Sequence, residues 1–141
     1  MSVDLINLWH QRARPSPTAE NLDVQLGCHA EEFVEMLEAL NGSPRIRAAI
    51  DAVRDLADAW KGGTECAFIN DRKELLDSLA DQIVTATGVG HCANMNVPEA
   101  CRRVNISNWS KYNKDGQPLF KASGKIDKGP DYKEPDLRGL Y

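Results

Sequence analysis

The sequence predicts an all-α protein of four to five helices, followed by an irregular basic C-terminal arm. Three observations predict it. Apolar residues recur at steps of three and four through most of the first 112 positions, and helix-start and helix-stop signals punctuate that pattern. No segment alternates polar with apolar residues as a half-buried strand does. At 141 residues the chain is long enough for one core, so a single domain over 1–141 is expected, with 1–112 as the helical bundle and 113–141 as the arm.

Each element has its own signal. Leu5, Leu8 and Trp9 form a short amphipathic opening, which the two prolines of "RPSPTAE" break. A second helix is expected from near Thr18 to Leu40, stopped by Asn41 and Gly42. Ser43 has the form of an N-cap with Pro44 at the first helical position, and Ile46, Ile50, Val53, Ala57 and Trp60 continue a third helix until Gly62 and Gly63 close it. Asp71 and Glu74 look like a capping box, after which Leu75, Leu76, Leu79, Ile83 and Val84 make a stripe expected to be buried, running towards Gly88. Asn96 and Glu99 repeat the capping signal around Pro98 and open a fifth helix that fades near Tyr112. From Asp115 onward glycines, prolines and lysines dominate, and so few apolar residues remain that the bundle is expected to fold without residues 115–141.

No apolar run approaches the ~18 residues of a membrane span, so no membrane partner is expected. The opening "MSVDLINLWHQRARP" has no basic start, apolar core or cleavage signal, and the expected location is cytoplasmic. Cys28, Cys66, Cys92 and Cys101 lack CxxC spacing and are expected to be reduced, mostly buried thiols. The pairs Cys28-His29 and His91-Cys92 are poor zinc sites, because neighbours on a helix diverge by about 100°. Charge is unevenly placed: residues 1–100 carry a net −8 and residues 101–141 a net +4. The overall balance of −4 weighs against a stable nucleic-acid partner.

The chemistry-bearing pattern is acidic. On the second helix Glu31, Glu32 and Glu35 share about one turn, and on the fourth Glu74, Asp77 and Asp81 recur at steps of three and four. Such rows are either solvated faces or a metal site. Against the first reading, Asp77 and Asp81 lie within apolar "LLDSLADQIV", and no lysine or arginine occurs between residues 73 and 102 to pair with them. Oxygen ligands alone would suit Mg²⁺, or Mn²⁺, better than zinc.

The glutamates of "EEFVE" followed by "ELLDSLAD" resemble the EExxE and ExxD motifs of the MazG-like, all-α nucleoside triphosphate pyrophosphohydrolases. The arm is similar to a bacterial and phage branch of that group through "SNWSK", "DGQP", "GKIDKGP" and "EPDL". The order and spacing of these short motifs span residues 25–137.

The resemblance implies a Mg²⁺-dependent enzyme that cleaves a nucleoside triphosphate to a monophosphate and pyrophosphate, in the house-cleaning of nucleotide pools. It assigns metal binding to Glu32, Glu35 and Asp81, with Glu31 and Asp77 close behind. The "DSLAD" phase favours Asp77 with Asp81 over Glu74. Glu32 or Glu35 is the candidate base that takes a proton from the attacking water. A triphosphate brings about four negative charges, and Lys111, Lys125 and Lys128 of the arm are its candidate counter-ions, with Asn108 on sugar or phosphate and Gln25 lining the base pocket.

Two other readings remain open: phosphoribosyl-ATP pyrophosphohydrolase, which shares the fold and the motifs, and a non-catalytic nucleotide or nucleic-acid binding module. Two charged inner rows leave little apolar core per chain, so a homodimer or homotetramer is expected.

Overall fold

A computed structural model describes residues 2–141. Five helices follow in order: α1 (Ser2–Ala13), α2 (Ala19–Glu38), α3 (Pro44–Gly62), α4 (Arg72–Cys92) and α5 (Val97–Trp109). Among the described residues there is no named strand, only one isolated antiparallel bridge between Phe120 and Ile126. The all-α expectation holds, and no described helix is long and apolar enough to cross a membrane.

The helix boundaries follow their caps. The Thr18 hydroxyl accepts from the Asn21 amide, while the Asn21 side chain accepts from the Thr18 amide, a reciprocal box that opens α2. Ser43, Asp71 and Asn96 each accept from the amide three residues on, as the sequence predicts for α3, α4 and α5. Gly63 ends α3 in the left-handed conformation, φ +74°, that a β-carbon disfavours. Helix α4 runs on through Gly88 to Cys92, one turn beyond the expected stop, and α5 ends at Trp109 rather than Tyr112.

The chain divides into two compact units. One comprises Ser16–Phe68 with Phe120–Ile126. Here α2 and α3 pack along their lengths through Val34, 4% exposed, and Ala57, 2% exposed. At Gly27 the helices approach so closely that a β-carbon would stand 2.8 Å from the Ala57 carbonyl oxygen and 2.6 Å from Lys61 Cγ. Residues 120–126 form a small hairpin in the same unit: the Lys121 amide donates to the Lys125 carbonyl at 2.9 Å, and the Gly124 amide to that of Lys121 at 2.9 Å. Gly124, φ +81°, turns the hairpin tip against Val24 of α2.

The other unit comprises the segment up to Pro15, Ile69–Leu119 and Asp127–Tyr141. Trp9 locks α1 to α5: its indole donates to the Asn108 carbonyl at 2.9 Å, and the Tyr112 hydroxyl donates to the Trp9 carbonyl at 2.6 Å. The Trp9 and Tyr112 rings stack with centroids 5.7 Å apart.

The end of the arm is held by more than its composition predicts. Buried Ser107 donates to the Lys133 carbonyl at 2.6 Å, Arg103 donates to the Asp136 carbonyl at 2.7 Å, and the Asn96 amide donates to the Leu140 carbonyl at 2.8 Å. Polar bonds replace the missing apolar core.

The sequence-based expectation fails for the burial of α4. Leu76 is 70% exposed, Ile83 52% and Val84 67%, so within one chain the apolar stripe faces solvent. Periodicity marks a face as apolar without naming what covers it. Two of the expected buried thiols, Cys66 and Cys92, are also exposed, while Cys28 and Cys101 are half-buried, and none of the four is in a disulfide.

Candidate functional site

The α2–α3 unit holds a cleft of about 240 Å³ between the two helices, lined by Glu31, Glu35 and Glu38 from one side and Arg54, Asp58 and Lys61 from the other. Its geometry starts at Gly27. Because no side chain intervenes there, α3 closes on α2, and one turn along each helix this brings Lys61 onto Glu31 at 3.1 Å. Lys61 also reaches Asp58 at 3.4 Å. At the outer end of the cleft Arg54 pairs with Glu38.

The second partner of Glu31 comes from the arm. Lys125 Nζ donates to Glu31 Oε2 at 2.6 Å, while Lys61 holds Oε1. One carboxylate is thus held by two ammonium groups, from α3 and from the hairpin. The hydrogen bond from Lys125 leads in holding the Glu31 carboxyl below its ordinary range, with Lys61 adding to it against partial burial. Glu31 in turn raises Lys125, assisted by the nearby Cys28 and Glu32. Lys61 is raised as well: burial opposes its charge, but the bonds to Glu31 and Asp58 outweigh that. Glu31 is 30% exposed and Lys125 41%, so screening limits this pair to about 1 kcal/mol or less.

The other expected residues are placed as follows. Glu32 and Glu35 lie exposed on α2, and Glu35 shares the cleft with Glu31. Asp77 and Asp81 are exposed on α4, in the other unit. Among the described residues no three His, Cys, Asp or Glu side chains form a group that could hold a metal ion. Gln25 is exposed on α2. Asn108 is half-buried, with its carbonyl taken by Trp9. Lys111 places its ammonium 5.7 Å from the Trp9 ring centroid, and Lys128 places its own 4.7 Å from that of Tyr132. Lys125 of the arm lies within bonding distance of the glutamate motif.

The donor chemistry fits a hard divalent ion. Mg²⁺ typically takes one or two carboxylates and completes its shell with water and substrate phosphates. Glu31 and Glu35, four residues apart and lining one cleft, can supply those two. At about 240 Å³ the cleft is smaller than the ~300–1,000 Å³ of typical small-molecule sites, so it has room for an ion and a few oxygen ligands but not for a whole nucleotide. A larger hollow of about 450 Å³ lies at the turn from α4 to α5, but His91 is its only ionisable lining residue and none of the expected site residues reaches it.

Lys61 is the residue that sequence reasoning misses. It stands thirty positions from Glu31, and no local pattern links them. Compared with known proteins, the chain matches no family model, no curated protein and no solved structure.

Proposed function

We propose that this chain is a Mg²⁺-dependent nucleoside triphosphate pyrophosphohydrolase, acting on (d)NTPs to yield (d)NMP and pyrophosphate. The observation that carries the reading is the meeting of Glu31 with Lys61 and Lys125 beside Glu35. Carboxylates for a cation and ammonium groups for phosphate oxygens are delivered to one place by three different segments.

In this reading Glu31 and Glu35 hold the ion, which when bound neutralises phosphate charge and acidifies water. Glu32, exposed on the same turn, accepts the proton of the attacking water. Lys61, 19% exposed and anchored by Asp58, orients Glu31 and offers a fixed positive charge at the cleft.

A homo-oligomer completes the protein. On α4, Leu76, Ile83, Val84 and Val89 are all more than half exposed. An apolar face of this extent belongs inside an assembly.

The reaction is tested by incubating the protein with Mg²⁺ and a panel of nucleoside triphosphates and identifying the first products. Pyrophosphate with a monophosphate is expected, and Glu35→Gln should remove turnover. Orthophosphate with a diphosphate as first products would refute the assignment, since that outcome requires attack at the terminal phosphorus.

A further inference from the structure

Lys125 sits on a carboxylate that the proposed function gives to the metal. Its Nζ is 2.6 Å from Glu31 Oε2, the hairpin that carries it is closed by the Phe120–Ile126 bridge, and Gly124 seats the hairpin tip on Val24. Lys61 arrives from a helix and is tied to Asp58 as well. Lys125 arrives from a hairpin, is 41% exposed, and pairs with Glu31 alone of the two carboxylates that hold Lys61. The two lysines therefore differ in how easily they leave.

We infer that hairpin 120–126 is a cation-exchange latch: Lys125 holds Glu31 Oε2 until a divalent cation takes that oxygen, and the released ammonium then binds the polyphosphate of the substrate. This rests on Glu31 being a metal ligand.

The magnitudes favour exchange. A pair this exposed holds its partner by about fivefold or less in an equilibrium constant, so a divalent ion at millimolar concentration can displace it. Leaving costs Lys125 little, because nearly half of it already faces water. After exchange Glu31 keeps Lys61, and the positive charge that was spent inside the protein becomes available to phosphate. The acidic motif is thus charge-compensated before substrate arrives, without a permanent loss of the arm's phosphate-binding lysine.

The test measures metal and nucleotide binding separately in the full-length protein. Mn²⁺ binding without nucleotide, read from the free-ion electron paramagnetic resonance signal, should be about threefold to fivefold tighter in Lys125→Met than in wild type. Lys121→Met, which removes a charge from the same hairpin, should bind Mn²⁺ as wild type does. With Mg²⁺ and a triphosphate analogue whose α,β bridge is not hydrolysable, Lys125→Met should bind the analogue about tenfold more weakly.

Opposite signs for metal and nucleotide are the signature of exchange, since a merely structural lysine would weaken both. Equal or weaker Mn²⁺ binding in Lys125→Met overturns the latch while leaving the metal site standing. No Mn²⁺ binding by any of the proteins overturns the metal reading of Glu31 and the latch with it. Hydrogen exchange in wild type gives a measurement independent of whether the variants fold: Mg²⁺ alone should speed exchange at the amides of residues 120–126, and unchanged protection there also overturns the latch.

Discussion

Gly27 of α2 faces the carbonyl oxygen of Ala57 in α3 with no room for a methyl group, since a β-carbon there would lie 2.8 Å from that oxygen. Two effects oppose each other in Gly27→Ala. Helix propensity favours alanine by about 1 kcal/mol, whereas overpacking a closed helix contact costs about 1–3 kcal/mol. The backbone oxygen cannot swing aside as the Lys61 stem can, so the clash should win. Thermal melts should show Gly27→Ala destabilised, while Gly62→Ala, with open space around it, should gain about 0.5 kcal/mol. A stabilised Gly27→Ala would mean that the helices have slack at this point.

The end of the arm should be needed for stability. Removing residues 127–141 takes the partner from buried Ser107 and those bonded to Arg103 and the Asn96 amide. Several lost bonds at about 1 kcal/mol each should lower the melting temperature by roughly 10 °C. This revises the expectation drawn from composition, and an unchanged melting curve would restore it.

Alkaline unfolding should involve Tyr112. Burial pushes its hydroxyl up to about 12, against about 10 for an unfolded tyrosine. A raised folded value means that the stabilisation is complete below pH 10 and is lost as pH rises from about 10 through about 12. An ultraviolet tyrosine titration should show one late step that disappears in Tyr112→Phe, and loss of folded signal should begin within that window.

The apolar surface of α4 should hold copies together. Leu76→Glu with Val84→Glu places two charges where hydrophobic burial is expected, and light scattering should report a smaller species than wild type. If wild type is itself an active monomer, α4 serves some other purpose.

Much of the architecture was legible because its signals are local. Ser43, Asp71 and Asn96 cap the helices they announce, and Gly63 ends α3 through a conformation that glycine favours. The acidic row on α2 was legible for the same reason: residues four apart share a face whatever surrounds them. Long-range partners were not legible. Glu31 and Lys125 are 94 positions apart, and nothing near either one names the other. Gly27 reads locally as a weak helix residue, and its use in letting α3 approach appears only once that helix is in place. The exposure of α4 escaped for a third reason, because an apolar period is the same whether its cover comes from its own chain or another.

The lock between Trp9 and Tyr112 sets an order on how the chain can acquire its structure during synthesis. Their bonds join positions 103 apart, whereas Glu31 and Lys61 are separated by 30. At translation rates of about 5–20 residues per second, the α2–α3 pair can close within a few seconds of α2 emerging, but Trp9 waits roughly 5–20 seconds for its ring partner. A 12-residue helix has little stability alone in water, so α1 spends that interval unsettled with an uncovered indole. Helix α1, made before α2 and α3, therefore becomes native after them.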